Sequence, residues 1–292
     1  MITSTLPADR RRPMTPGQRV ILVLGVPVVL AVVAWTGFGI VAAAGRGSYT
    51  ITSSAHVTGG QLTMNAGDNG GNVGVTVQGG AATGSVRLSA TVGYDLIRPD
   101  IRPALNASSG AGGTSVGFSC PADNCQVEAA ASVPSSTAVS VTGNGGNVWV
   151  SGVTAPVAAF TGGGDLTLNA VTGTLDLTTD GGNVEGTALA APDVTVNTGG
   201  GNVDLMLSTI PKDLQVNSGG GNVTVEVPPG STRYHLELDG GCGNGGAGSA
   251  VPSSAGSAPS SWCEDVSSSV PDDPSSPNVI VISSGGGQIT IT

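Results

Sequence analysis

Across residues 48 to 292, apolar and polar residues alternate almost one for one in short runs. Leu166/Leu168, Leu175/Leu177, Val194/Val196, Val203/Leu205/Leu207, Leu214/Val216, Val223/Val225/Val227 and Leu236/Leu238 are separated mostly by Thr, Asp, Glu or Gln. Side chains of a strand point to its two faces in turn, so this period of two predicts strands buried on one side only. A helix needs apolar residues three and four apart, and these runs exclude it.

Glycine punctuates the runs. Gly-Gly-Asn-Val recurs at 70–73, 145–148, 181–184, 200–203 and 220–223, with variants Gly59-Gly60-Gln61-Leu62, Gly163-Gly164-Asp165-Leu166 and Gly286-Gly287-Gln288-Ile289. The polar residue of successive steps falls at 147, 165, 183, 202 and 222, intervals of 18, 18, 19 and 20. Each interval holds two short strands, one directly after the step and one about midway. No single coil of that size buries its apolar face alone, so the repeat predicts coils stacked on one another. Gly serves corners that need positive φ or a close approach of backbones. The polar residue beside it (Asn72, Asn147, Asp165, Asn183, Asn202, Asn222 or Gln288) is expected to hydrogen-bond its neighbours and to form ladders through stacked turns.

One segment breaks the pattern. Val20 to Ala44 carries no charge over 25 residues, and at about 1.5 Å per helical residue it exceeds a hydrocarbon core of roughly 30 Å. Arg10, Arg11, Arg12 and Arg19 precede it, which places the N-terminal end in the cytoplasm. The expected organisation is a cytoplasmic tail at 1–19, a transmembrane signal anchor at 20–44 and an extracytoplasmic β-repeat domain at 45–292. Ala42-Ala43-Ala44 has the small residues of a cleavage site, but the apolar stretch is longer than a signal-peptide h-region. Arg10-Arg11 continues poorly as a twin-arginine signal.

Composition adds three things. Gly 48 and Pro 18 with aromatics at 3% fit neither an average helical enzyme nor a charged disordered tail. From Gly47 onward the net charge is −14, which repels phosphate backbones and excludes nucleic acid as a partner. All four cysteines lie on the exported side, as suits an oxidising compartment. Cys120, Cys125, Cys242 and Cys263 allow three pairings, of which the two local loops, 120 with 125 and 242 with 263, are the simplest. Closing the second loop is worth about 3 kcal/mol in the chain-entropy model. A four-thiolate zinc site lacks its C-x-x-C knuckles. The Ser/Pro/Gly-rich stretch at 244–277 has no alternation and reads as a loop, after which 278–282 and 288–291 supply final strands that close or cap the stack.

On the Gly-Gly-Asn/Asp-Val/Leu steps from Gly145 to Val227 and the closing Gly285-Gly286-Gly287-Gln288-Ile289-Thr290-Ile291-Thr292, the chain resembles the bacterial putative adhesins, membrane-anchored β-strand-repeat proteins of undefined function. The resemblance implies an all-β fold, a single-stranded, right-handed, parallel β-helix-like solenoid on the envelope, and adhesion. It departs from an even repeat at 98–125 and 244–277, and it carries over no functional residue.

Candidate chemistry is sparse. His56 and His235 stand far apart with no nucleophile motif nearby, and both read as solvent-facing strand residues. Asp165, Asp176, Asp180, Glu185 and Asp204 are close enough in the repeat to neighbour one another on a coil surface, the arrangement a glycan-cleaving pair would need. They lack basic or aromatic companions, and acids also keep an exported domain soluble. The Gly/Asp spacing does not match the calcium-binding nonapeptide. Reading two residues past each step gives Gly74, Trp149, Thr167, Glu185, Asp204 and Thr224 as an outward row, too mixed for a uniform threonine face, with Trp149 as a sugar-stacking candidate. The expected function is therefore a non-enzymatic surface interaction module with no cofactor and no metal, binding an envelope polymer or a surface protein. A structural or stress-associated envelope protein is the alternative, and a glycan-acting enzyme comes third.

Overall fold

Alternation this regular commits the backbone to strands, and among the described residues every element is one. The structure, a computed structural model, describes residues 47–66, 72–94, 104–119, 125–230, 233–242, 246–249 and 266–292. But for Gly47 and Tyr94, these residues belong to one unit, Ser48–Gly93 with Asp100–Thr292. The expected membrane helix at 20–44, Cys120, Cys263 and therefore both local disulfides lie outside the described residues. Among the described residues no helix is long and apolar enough to cross a membrane.

Two mixed sheets form the unit, and the chain visits them in turn. Strands that follow the Gly-Gly steps build the first sheet: Val148–Ser151, Leu166–Asn169, Val184–Leu189, Val203–Leu207 and Val223–Glu226. The midway strands Val157–Thr161, Leu175–Thr179, Asp193–Thr198 and Asp213–Ser218 build the second. All of these pair in parallel, one repeat apart, with Leu166 opposite Val184, Val184 opposite Val203 and Val203 opposite Val223. In the second sheet Leu175 lies opposite Val194, and Val194 opposite Leu214. The result is a solenoid-like stack whose inward residues form one continuous core. All sixteen residues of the alternating runs read from the sequence are buried, each contributing roughly 1.5–3 kcal/mol for a fully buried aliphatic side chain.

Close approach, not left-handed backbone, explains the corner glycines. No Gly of the 145–148, 163–166, 181–184, 200–203 or 220–223 corners has positive φ. A Cβ on Gly182 would overlap the carbonyl oxygen of Gly164, one on Gly201 that of Gly182, and one on Gly221 that of Gly201. The first glycine of each pair faces open space: nothing lies within 4 Å of a Cβ added to Gly181, Gly200 or Gly220. The tight glycine is thus the one that lets coils stack at strand spacing.

The ends depart from an even solenoid. At one end, Asn72–Gln78 pairs with both Val148–Ser151 and Cys125–Ser132, and Gln61–Ala66 pairs with both Ala138–Gly143 and Gly113–Ser119. Gln61–Ala66 and Asn72–Gln78 therefore stack directly on Ala138–Gly143 and Val148–Ser151, and the strands between Gln78 and Ala138 fold over their outer side. Gly84–Tyr94 and Ala104–Gly110 run antiparallel there. The other end repeats the device. Val279–Ser284 and Ile289–Ile291 stack directly on Asp213–Ser218 and Val223–Glu226, while His235–Cys242 and Val266–Ser268 lie outside them. The closing strands are thus internal, and the segment before them supplies the cap. The 244–277 stretch is not wholly a loop, since Gly246–Ser249 pairs antiparallel with His235–Cys242 and Val266–Ser268 joins the first sheet. Unpaired sheet edges invite association with other chains; three of the four outermost strands, Ala104–Gly110, Gly246–Ser249 and Val266–Ser268, are short or antiparallel, and the eleven-residue Gly47–Val57 forms the fourth edge.

Two expected steps do not fit the common register. Val148 lies opposite Val75, not Val73, so the step containing Asn72 is slipped by two residues, and Asn72 begins a strand instead of turning a corner. A slip of two preserves which residues face inward. The Gly59-Gly60-Gln61 step precedes a strand of the second sheet, and Gly59 has φ +81, unlike the others.

Candidate functional site

Apart from Asn72, the predicted turn residues come together along one edge of the stack. From Asn147 to Asn222, the Oδ1 of each accepts the backbone N–H of its counterpart in the next coil. Asn147 accepts from Asp165 at 3.0 Å, Asp165 from Asn183 at 2.8 Å, Asn183 from Asn202 at 2.9 Å, Asn202 from Asn222 at 2.9 Å and Asn222 from Gln288 at 2.9 Å. The ladder is thus mainly side chain to backbone. Asn183 adds one side-chain rung, donating Nδ2 to Asp165 Oδ1 at 3.2 Å.

Beside it, inside the core, runs a second ladder that the sequence reading missed. Thr161, Thr179, Thr198, Ser218 and Ser284 are buried. The Thr179 hydroxyl donates to the Gly164 carbonyl at 3.1 Å and accepts the Gly182 N–H at 3.0 Å. Thr198 does the same with Gly182 and Gly201, and Ser284 with Gly221 and Gly287. These hydroxyls satisfy the backbone groups that the glycine corner leaves without sheet partners, which buried polar groups require. The signal was present: Thr or Ser stands three residues before the second glycine in those five corners. Gly143 occupies that place in the 145–148 corner.

The two outer faces present rows of side chains at strand spacing. On the first sheet the row reads Thr76, Trp149, Thr167, Glu185, Asp204 and Thr224, with Thr76 in the place expected for Gly74. Trp149 is 38% exposed there. The second sheet carries Phe160, 37% exposed, between Thr142 and Thr178. Beside Phe160, a shallow groove of about 450 Å³ crosses the strands. Gln61, Ser140, Asp176 and Asp193 are among its polar groups, and Pro156 and Ala158 among its apolar lining.

The acids singled out in the sequence fall on different parts of the stack, with one adjacent pair. Glu185 and Asp204 are register neighbours on the first sheet, Asp176 lies on the second, and the Asp165 carboxylate is engaged in the corner ladder. Among the described residues no three His, Cys, Asp or Glu side chains gather as metal ligands. His56 is exposed. His235 is only half exposed, its Nε2 3.1 Å from Glu237 Oε1 and its Nδ1 3.9 Å from Asp272 Oδ1. Next to it, Tyr234 is 1% exposed and its hydroxyl has no partner among the described residues, and burial raises its pKa above the ordinary phenol value. The Ser275 hydroxyl and N–H, with Arg233, hold the Asp273 carboxyl below the usual carboxylate value.

No protein-family model matches the sequence, and no curated protein matches it. Solved structures do align with it along most of its length. A putative adhesin from Bacteroides fragilis is 14% identical over 84% of this chain and 97% of its own, with a TM-score of 0.48. A putative cell adhesion protein from Clostridium sporogenes is 13% identical over 83% and 99%, with a TM-score of 0.35. A putative adhesin from Parabacteroides merdae is 11% identical over 83% and 96%, with a TM-score of 0.38. These likenesses are distant, and they are to the kind of protein that the Gly-Gly-Asn/Asp steps resemble.

Proposed function

We propose that the chain is a non-enzymatic interaction module of the cell surface, an adhesin in the broad sense. In this reading Val20–Ala44 anchors it in the cytoplasmic membrane, and the stacked coils form a single-stranded β-solenoid displayed outside. The observation that carries the reading is the pair of outer faces. Each is a ladder of evenly spaced polar side chains holding one exposed aromatic residue, Trp149 on one and Phe160 on the other. Aromatic side chains anchor interfaces because they offer large contact area at small entropic cost. The strong negative charge from Gly47 onward favours neutral or basic partners.

Retention of the purified full chain on immobilised cell-wall polymers and extracellular-matrix proteins tests this. Expected is retention on at least one surface, weakened about tenfold by Trp149→Ala or Phe160→Ala, in keeping with an anchor residue worth more than 1 kcal/mol. Absence of retention on every surface would overturn it.

A further inference from the structure

The groove on the second sheet has a direction that singles out its occupant. Its residues come from Gln61–Ala66, Ala138–Gly143, Val157–Thr161, Leu175–Thr179 and Asp193–Thr198 and their immediate flanks. These strands are successive neighbours in the sheet, so the groove runs across them along the stack. Four spacings of about 4.8 Å make it roughly 19 Å long. Its volume of about 450 Å³ spread over that length describes a narrow trough suited to one extended chain.

Its depth comes from small side chains. Ala158 stands in the outward row between Ser140 and Asp176, and Pro156 lines the groove beside it. Around this apolar patch stand two carboxylates, Asp176 and Asp193, the Gln61 amide and the Ser140 hydroxyl. Among the described residues no Lys or Arg lines it. Two positions along the strand from Ala158, on the same face, Phe160 stands exposed at the groove's flank.

From this arrangement we infer that the groove binds a neutral polysaccharide strand lying along the stack axis. The inference deepens the surface-module reading and rests on it. Carboxylates accept hydrogen bonds without donating any, and an amide and hydroxyls both accept and donate. Vicinal sugar hydroxyls match that set. Alanine, proline and phenylalanine offer the apolar contact that the C–H faces of sugar rings need. A strand bearing sulfate, phosphate or uronate groups meets two carboxylates and no cation. An extended peptide meets no free backbone edge here, because the strands under the groove are hydrogen-bonded on both sides.

Affinity electrophoresis of the full chain through gels containing mannan, mixed-linkage glucan or soluble xylan, with hyaluronan as the anionic comparison, tests the proposal. Expected is retardation by at least one neutral polymer and none by hyaluronan. Ala158→Arg, which fills the trough from an exposed position, and Asp176→Asn are each expected to weaken retardation at least tenfold. Met206→Ala, at an exposed position of the other sheet, is expected to leave it unchanged. An unchanged melting temperature shows that each variant is folded, and Ser140→Arg serves as a second block. Retardation that survives Ala158→Arg and Ser140→Arg but is lost with Trp149→Ala would overturn the groove while leaving a binding module in place. No retardation by any neutral polymer would overturn the groove too, and retention on matrix proteins would then decide the broader reading separately.

Discussion

Thr179→Val isolates the contribution of the buried hydroxyl ladder. Thr179 is 1% exposed, and valine has nearly its shape, so packing is kept while two hydrogen bonds disappear. The Gly164 carbonyl and the Gly182 N–H lose their hydroxyl partner in the core. Leaving a buried donor or acceptor unsatisfied costs about 1–3 kcal/mol per group, and the added methyl returns about 0.8 kcal/mol. The expected net loss is about 3 kcal/mol, a large share of the 5–15 kcal/mol that stabilises a typical domain. Urea unfolding followed by tryptophan fluorescence, with Trp149 on the outer face of the first sheet as the probe, measures it. Thr178→Val, one residue away on the outer face and half-buried, is the control and is expected to change stability by less than about 0.5 kcal/mol. Thr179→Ser is expected to recover most of the loss, because Ser218 and Ser284 fill the same role naturally. Faster exchange of the Gly182 amide in Thr179→Val would localise the effect. If Thr179→Val and Thr178→Val proved equally mild, the ladder would not stabilise the corners and the reasoning would fail.

Gly182→Ala is expected to cost more than 2 kcal/mol by thermal unfolding, because its Cβ meets the Gly164 backbone, whereas Gly181→Ala, facing open space, is expected to lie within about 0.5 kcal/mol of the parent. Tyr234→Phe removes an unpartnered buried hydroxyl and is expected to be neutral or stabilising at pH 7. Because burial raises the Tyr234 pKa, its contribution is intact below about pH 10 and is lost as pH rises through the folded value. Melting curves from pH 8 to 11 should therefore fall more steeply for the parent than for Tyr234→Phe. For Asp273, whose pKa is lowered, the sign reverses: its contribution is present above about pH 4 and lost as pH falls further, so Asp273→Asn should match the parent only in acid. Deleting 231–276 strips the outer strands from Val279–Ser284 and Ile289–Ile291, and sedimentation should show concentration-dependent association; a strictly monomeric variant would refute the capping role.

The legible parts of this fold were those with a local cause. Alternation in Leu166/Leu168 or Val194/Val196 follows from strand geometry alone, and those residues are buried. The Gln288 step was recognisable as one more corner, and it does stack on Asn222, 66 residues earlier. Where two positions were equally compatible with the alternation, the sequence could not choose. The slip that puts Val75 opposite Val148 leaves every inward residue inward, so nothing in the pattern of Val73, Val75 and Val77 distinguishes it. The hydroxyl ladder was overlooked because Thr179 or Thr198, met singly, reads as an ordinary polar strand residue; only the carbonyl of the preceding coil gives it a role.

Period-two alternation and glycine corners every eighteen to twenty residues determined by themselves that the chain would form strands, which faces they bury and that they recur as coils. These are nearest-neighbour properties, set within one repeat. Which coil touches which was decided only in three dimensions. Closing a long insertion costs little more than closing a short one, so the chain can leave the stack after Gln78 or Glu226 and return tens of residues later in register, placing the intervening strands over the exposed ends. The same stacking aligned Ser140, Ala158 and Asp176 from three separate repeats into one row, and so made the groove.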